Sequence, residues 1–196
     1  MEKISIKSRK TISHGHAKLE KIRYEIEHYN GSTSGQEREV YDHGNAVAVL
    51  LYDRESRKVL LTQQFRLPTF LNGNPTGMLL EVCAGIVEEA EEPAVTMKRE
   101  ILEETGYQVE NLVKVYEAYS SAGVLTEMLS LFTGTYSSGN KKAQGGGLKE
   151  EGEEIKNVEL DFDEAIEMLK KNQIRDVKTI ILLQYMLINH LIEENK

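Results

Sequence analysis

The chain has a single cysteine, only 3 prolines and no excess of positive charge. One thiol cannot form an intramolecular disulfide, and Cys83 lies in an apolar run, so we expect a small core residue in a reducing compartment. The first residues lack the apolar core of a signal peptide. The apolar stretch at residues 180–192 is too short for a membrane span and contains polar side chains. These absences predict a cytoplasmic protein without a membrane partner.

The formal net charge of -8 opposes binding to nucleic acid, which relies on a basic surface. A small phosphate-bearing substrate remains compatible, because a bound metal and a few local cations can reverse the potential inside one cleft. A hydrophobic content of 40% and a charged content of 29% are typical of globular proteins. The length of 196 residues accommodates one domain and a small extra element.

An acidic segment gives the clearest functional signal. Its characteristic residues are, in chain order, Gly85, Glu91, Arg99, Glu100, Ile101, Glu103, Glu104, Gly106 and Tyr107. A proline near its start and a glycine at its end predict a helix over residues 94–105. Ala94, Met97 and Ile101 should face the core. Gly85, just after a predicted strand, should allow a tight turn.

Three glutamates of this helix, Glu100, Glu103 and Glu104, stand at positions i, i+3 and i+4. Side chains at this spacing lie about 5–6 Å apart, so their charges repel. A hard divalent cation would offset that repulsion, and Mg²⁺ binds through one or two carboxylates together with phosphates and water. The alternative is a solvated acidic helix face with ordinary glycines, which suits Glu103 and Glu104 alone but not the full spacing.

The rest of the chain alternates strands and helices. Period-two patterns in the first 45 residues predict a small antiparallel sheet. Further strands are expected at 46–52, 58–65, 78–84, 112–119 and 127–136, a long mobile loop at 137–154, and helices at 163–171 and from 177 to about 194. Asp161 or Asp163 should cap the first of these two helices. This order predicts an α/β sandwich.

The acidic segment resembles the nudix box, with Tyr107 in place of the family's aliphatic residue. Beyond the box, the chain resembles the nudix branch that hydrolyses nucleoside diphosphate sugars, and most closely the bacterial GDP-mannose pyrophosphatases. The matching segments are 38–45, 64–66, 72–74, 83–85, 126–127, 145–147, 151–155 and 174–178. Ala122 replaces a proline of the family, and His16 stands where relatives tend to have a tyrosine.

The resemblance implies a nudix fold, a mixed β-sheet between α-helices, over residues 46–196. A small N-terminal antiparallel sheet over residues 1–45 would precede it. In the GDP-mannose branch this sheet is exchanged across a homodimer, so that Arg38 and Glu39 would complete the partner's nucleotide site.

The resemblance also implies a metal centre for Mg²⁺, with Mn²⁺ as a substitute. Its ligands would be the backbone carbonyl of Ala84 and the carboxylates of Glu100, Glu104 and Glu153, with Glu103 as a candidate ligand of a further ion. Two metals would polarise the diphosphate and activate a bridging water. Glu151 is the matching general base, and Glu127 and Glu153 remain candidates.

Residues expected to contact the substrate are His16, Arg38, Glu39, Arg66, Gly85, Glu127 and Lys178. Arg66 would bind phosphate with its planar guanidinium. Taken alone, Arg66 would more often be an exposed arginine at a strand end, and a lysine in a first helical turn is unremarkable. His14 and His16 suggest a transition-metal site, but without a third ligand surface positions are favoured.

The leading hypothesis is hydrolysis of GDP-mannose to GMP and mannose 1-phosphate. ADP-ribose is the alternative substrate, and a non-catalytic nucleotide-sensing domain is the alternative from another class. An RNA cap is opposed by the net charge. Arg99 should brace Glu103 one turn further along the helix rather than contact the substrate.

Overall fold

The structure is a computed structural model that describes residues 3–192, apart from the side chain of Glu151. Its strands are β1 Ile4–His14, β2 Lys18–Glu27, β3 Thr33–Asp42, β4 Ala46–Asp53, β5 Lys58–Phe65, β6 Met78–Glu81, β7 Cys83–Ile86, β8 Leu112–Tyr119, β9 Met128–Thr135 and β10 Lys156–Asp161. Its helices are α1 Leu67–Leu71, α2 Pro93–Glu100, α3 Phe162–Lys170 and α4 Val177–Ile188. A π-helical turn, Ile101–Thr105, extends α2, and 3₁₀ turns lie at Ser138–Asn140 and Lys149–Glu151.

The first of two compact units comprises the residues up to Asn45 and Ala118–Leu129. Its three strands form an antiparallel sheet in the order β1-β2-β3. The segment after β8 is attached to the end of β3, where Tyr41 exchanges backbone hydrogen bonds with Val124 and Thr126. The small N-terminal antiparallel sheet predicted from the sequence is therefore confirmed.

The second unit comprises Ala46–Glu117 and the residues from Ser130 onward. Its sheet has the order β10-β5-β4-β9-β8. β4 pairs with β5 only over Leu51–Asp53. Beyond that point β7 pairs with β4, and β6 pairs with β5. The single predicted strand over 78–84 is thus two strands with different partners, separated at Val82.

Both faces of β4 are buried, as its continuous apolar sequence requires. Val47, Val49 and Leu51 share a core cluster with Met97 and Ile101 of the acidic helix, as predicted for the latter two. Helix α4 also packs on β4 and buries Leu182, Leu183 and Met186. The expected α/β architecture, a larger sheet flanked by helices, is confirmed.

Several local predictions were wrong. Ala94 is exposed, and Thr96 is buried with Met97 instead. Helix α4 ends at Ile188, short of the predicted end near residue 194, which itself lies outside the described residues. By contrast, Asp161 is the N-cap residue of α3, as predicted, although its side chain makes no capping hydrogen bond.

Tyr107 is buried, and its ring packs edge-on against Tyr136 with centroids 4.9 Å apart. The aromatic substitution in the box is therefore accommodated by packing in the core. In the part of the chain that the structure describes, no helix has both the length and the apolar character needed to cross a membrane.

Candidate active site

The acidic helix differs from the uniform α-helix predicted from the sequence. It is α-helical as far as Glu100, and Ile101–Thr105 then form a π-helical turn. Gly106 ends it in the left-handed conformation with φ 78°, as predicted. Glu103 and Glu104 lie within the π turn, and Glu100 immediately precedes it. Such turns are rare and concentrate at functional sites.

Gly85 lies inside strand β7, opposite Val47, and not in the tight turn predicted from the sequence. A Cβ atom at this position would overlap the carboxyl group of Glu100. Glycine is therefore required because a carboxylate approaches the strand backbone closely. This contact places Glu100 against the backbone of Gly85, the residue that follows Ala84, whose carbonyl is the expected metal ligand.

Burial makes the two central carboxylates hard to ionise. Burial raises the pKa of Glu100 to about 7, with repulsion from Glu103 and Glu153 adding to the effect. Burial likewise raises the pKa of Glu104 to about 8, and the charges of Glu100 and Glu153 raise it further. Oε2 of Glu104 is buried and has no hydrogen-bond partner among the described residues. The structure thus holds a buried acid, Glu104, and a half-buried acid, Glu100, whose charges repel each other.

These residues fit a hard divalent cation. Glu104 offers an unpartnered carboxylate oxygen, Glu100 fills a space that only glycine leaves open, and all the donors are oxygens. Among residues 3–192, no three His, Cys, Asp or Glu side chains already form a metal cage. An ion that takes two carboxylates and completes its coordination with carbonyl, phosphate and water oxygens matches this donor set.

Arg99 braces the acidic helix, as predicted. Its Nη1 donates to Glu103 at 3.0 Å and also lies 3.0 Å from Glu100. Its Nη2 lies 3.6 Å from both Glu88 and Glu91. One guanidinium therefore holds carboxylates of the helix and of the loop before it in a fixed arrangement.

The predicted loop over residues 137–154 is anchored in its middle. The N–H groups of Gly146 and Gly147 donate to the carbonyls of Glu104 and Glu103 at 2.8 and 3.1 Å. Asn157 also donates to the carbonyl of Glu104, at 3.3 Å. Carbonyls at a helix end lack partners within the helix, and here the loop supplies them. The loop therefore fixes the backbone of two site glutamates.

The two loop glutamates differ in what the structure describes. The carboxylate of Glu153 accepts a hydrogen bond from the N–H of Leu148 at 3.0 Å, and its charge raises the pKa of both Glu100 and Glu104. The side chain of Glu151, the matching base, lies outside the described residues. Its role stays a prediction, as does that of Glu153.

Arg66 and Lys178 converge on one buried carboxylate. Arg66 Nε and Nη2 donate to the two oxygens of Glu81 at 2.7 and 3.2 Å. Lys178 Nζ lies 3.3 Å from Glu81 Oε2 and 2.6 Å from Asp176 Oδ1. The side chain of Glu81 is only 3% exposed, so a buried carboxylate lies at the centre of this cluster of two cations and two anions. The structure brings together two residues predicted to contact the substrate.

Sequence reasoning missed Glu81 and Asp176. Glu81 is an acidic residue inside an apolar strand, and a buried charge of this kind requires a partner. Asp176 is the N-cap of α4, and its side chain accepts from the backbone N–H and the hydroxyl of Thr179 at 2.9 and 2.7 Å. The Asp-x-x-Thr spacing before an apolar helix is the signal that could have identified it.

The remaining predicted site residues belong to the first unit. His16 is exposed in the turn between β1 and β2, and Arg38 and Glu39 are exposed on β3. Glu127 is mostly buried and pairs with His43 at 3.4 Å. Nδ1 of His43 is buried without a hydrogen-bond partner among the described residues. His43 was not predicted, since a single histidine between strands has no distinguishing pattern.

Known proteins match both parts of the chain. The NUDIX domain matches residues 42–183, and the GDP-mannose pyrophosphatase NudK N-terminal domain matches residues 3–41. The GDP-mannose pyrophosphatase of Cronobacter sakazakii is 44% identical over 177 residues, which cover 90% of this chain and 91% of the relative. The enzymes of the same name from Shigella dysenteriae and Escherichia coli O157:H7 are each 40% identical over 192 residues, or 98% and 99% of the two chains. The similarity therefore extends over nearly the full length of both proteins.

Proposed function

The chain belongs to the Nudix family, and from that premise we propose that it hydrolyses GDP-mannose to GMP and mannose 1-phosphate. It is a pyrophosphatase that cleaves a phosphoric anhydride bond of a nucleoside diphosphate sugar. The observation that carries this proposal is the pair of carboxylates formed by the half-buried Glu100, which lies against the backbone of Gly85, and the buried Glu104. The match of the N-terminal residues 3–41 supports the choice of substrate.

We propose Mg²⁺ as the cation, with Mn²⁺ as a substitute. Glu100, Glu104, Glu153 and the carbonyl of Ala84 would hold it, and Glu103 is a candidate for a further ion. When bound, the cation polarises phosphate oxygens and lowers the pKa of a coordinated water. The raised pKa values of Glu100 and Glu104 mean that these side chains give up protons when they ligate a metal.

The chain's other residues would bind the substrate and move the proton. Arg66 and Lys178 would donate hydrogen bonds to the phosphate oxygens and offset their charge. Glu151 is the first candidate to accept the proton of the attacking water, and Glu127 and Glu153 are the others. Gly85 leaves room for the carboxylate of Glu100 beside the strand. The cytoplasmic location stays a prediction.

We also propose a homodimer in which residues of the N-terminal sheet complete the partner's site. Strand β1 is exposed along its whole length in the single chain. Ile4, Ile6 and Ile12 on this strand are 62%, 49% and 46% exposed. Open edge strands with apolar side chains are usually covered in the native assembly. His16, Arg38 and Glu39, from the same unit, would contact the nucleotide.

Substrate profiling tests the function directly. The purified protein is incubated with GDP-mannose, ADP-ribose and UDP-glucose in Mg²⁺, and the products are identified by chromatography. We expect GMP and mannose 1-phosphate, with the highest kcat/KM for GDP-mannose. Preference for ADP-ribose would assign the enzyme to that alternative. Tight binding without turnover would indicate a nucleotide sensor.

Sedimentation tests the dimer. We expect twice the mass of one chain for the wild type, and a monomer when Ile4 and Ile6 are both replaced by Lys. A wild-type monomer that retains full activity would contradict the exchange of the sheet. Replacing the exposed Val113 of β8 by Lys serves as the control.

A further inference from the structure

The ion pair between Arg66 and Glu81 is geometrically specific. Nε and Nη2 of the guanidinium face the two oxygens of one carboxylate, so the pair is bidentate. The backbone N–H of Arg66 also donates to the carbonyl of Gly77 at 2.8 Å. Both ends of this arginine are therefore fixed, and Nη1 is the nitrogen that is not committed to Glu81. The arginine side chain remains 40% exposed, so another acceptor can reach it.

Lys178 contacts the same carboxylate, that of Glu81, from helix α4. It lies in the first turn of α4, and its Nζ contacts Glu81 Oε2 and Asp176 Oδ1. The hydroxyl of Thr179 accepts a hydrogen bond from the N–H of Val82 at 2.8 Å. Val82 is the residue at which β6 gives way to β7. This hydrogen bond attaches the start of α4 to Val82, which separates Glu81 at the end of β6 from β7, the strand that contains Ala84 and Gly85.

Charge explains why the carboxylate is needed between these cations. Arg66 and Lys178 are both drawn to Glu81, and two cations in a half-buried position would otherwise repel each other. Glu81 and Asp176 bring the charge of the four groups to zero in the substrate-free protein. Arg66 is also close enough to Glu104 for the two charges to interact. The charge of Arg66 therefore acts on one of the proposed metal ligands.

We propose that Glu81 is a positioning residue for catalysis: it orients Arg66 and Lys178 so that both can bind the diphosphate of the substrate. The proposal rests on the proposed function, because Arg66 and Lys178 are its phosphate contacts. Glu81 is buried and acts through these cations without touching the substrate. Asp176 supports the same arrangement by fixing Lys178 to the start of α4.

A double-mutant cycle tests this role. Glu81→Gln keeps the shape of the side chain and removes its charge. We expect kcat/KM for GDP-mannose to fall about 10- to 10²-fold, because small displacements of positioning groups have effects of this size. In the Arg66→Ala/Lys178→Ala background the same change should alter kcat/KM by less than about 2-fold. Glu81→Asp, which keeps the charge, should restore part of the activity in the otherwise wild-type enzyme.

Controls separate positioning from folding. Asp163→Asn removes the ion pair of Asp163 with Arg57 elsewhere in the second unit and should leave kcat/KM unchanged. The melting temperature of each variant is measured in parallel. Should Glu81→Gln not fold, Glu81→Asp provides the second test: it keeps the charge but shortens the side chain, and its loss of kcat/KM should likewise shrink to less than about 2-fold in the Arg66→Ala/Lys178→Ala background.

The outcomes distinguish this role from the function itself. Equal losses from Glu81→Gln in both backgrounds would show a merely structural carboxylate and overturn the proposal, while wild-type hydrolysis of GDP-mannose would still support the function. If the wild type hydrolyses nothing, the affinity for inorganic pyrophosphate, measured by calorimetry on the same variants, decides the role of Glu81. A cycle that is additive in affinity overturns it.

Discussion

The second unit contains two clusters of charged side chains, and they differ in whether each carboxylate has a positively charged partner. At the cation cluster, Glu81 and Asp176 each meet a positively charged partner at hydrogen-bond distance. At the acidic helix, Glu104 is buried and Glu100 is half-buried, and burial raises their pKa values to about 8 and about 7. In the paired cluster, hydrogen bonds between opposite charges fix the orientation of the side chains. In the proposed function, a divalent cation would offset the repulsion between the two acids.

The largest expected effect comes from Glu104→Gln, which removes one of the two repelling charges. We expect kcat to fall at least ~10²-fold, since the cation loses a ligand. The melting temperature without metal should not fall, because repulsion with Glu100 is relieved. Hydrolysis assays in Mg²⁺ and thermal melts in EDTA measure the two effects. Glu92→Gln, at an exposed position before α2, is the matched control, and an active Glu104→Gln enzyme would contradict the metal assignment.

Gly85→Ala should act on the same cluster through space alone. The added methyl group would displace the carboxyl of Glu100, and we expect kcat/KM to fall about 10- to 10²-fold. Steady-state kinetics and a Mg²⁺ titration measure the change. Gly139→Ala, at a glycine with open surroundings, should behave as the wild type. Wild-type kinetics of Gly85→Ala would show that Glu100 tolerates displacement.

The next largest effect concerns the pH dependence of stability, which should come from the acidic helix and not from the paired cluster. A buried acid with a raised pKa stabilises the fold fully below its unfolded pKa of about 4.5, and this contribution is lost as pH rises through about 8 for Glu104. The metal-free protein should therefore lose stability between these values. Mg²⁺ should raise the melting temperature more at pH 8 than at pH 6, because metal binding displaces protons.

Thermal melts in EDTA and in Mg²⁺ across this range measure the difference. Glu104→Gln should make the increase in melting temperature caused by Mg²⁺ less dependent on pH. A metal-induced shift that is the same at pH 6 and pH 8 would mean that these carboxylates are not the ligands.

The smallest expected effect concerns the paired cluster. Asp176→Ala removes the N-cap of α4 and the contact with Lys178, and we expect a loss of about 1–2 kcal/mol in the free energy of unfolding. Urea unfolding measures it. Asp176→Asn keeps a good capping side chain and should lose less. If both variants unfold alike, the charge rather than the cap stabilises this position.

Much of the fold could be predicted from the sequence, because periodicity and the spacing of the box are local signals. β5 and β8 have the predicted bounds. The apolar run over residues 78–84 hid the break at Val82, since a change of partner strand leaves no mark on hydrophobicity. β10 and α1 were missed because both are short and adjoin loops. The π turn also has no sequence signature in this chain.

The acidic half of the site was visible in the spacing of its residues, whereas Arg66 and Lys178 were predicted only from the resemblance, and their partner Glu81 was missed. Glu100, Glu103 and Glu104 are neighbours along the chain, so their proximity follows from helix geometry. Glu81, Arg66 and Lys178 come from three elements far apart in sequence, and only tertiary packing brings them together. A single sequence indicates local constellations far better than long-range ones.

The N–H groups of Gly146 and Gly147 hold the carbonyls of Glu104 and Glu103. For protein engineering, these two hydrogen bonds divide the loop over residues 137–154 into two parts. Lengthening the chain before Gly147 would pull on the backbone of the acidic helix. After that residue the chain passes through the 3₁₀ turn at Lys149–Glu151 and returns at Ile155, whose N–H donates to the carbonyl of Gly146 at 3.0 Å. A fluorophore attached near residue 150 would therefore report on a short segment that is held at both ends and contains the proposed base Glu151.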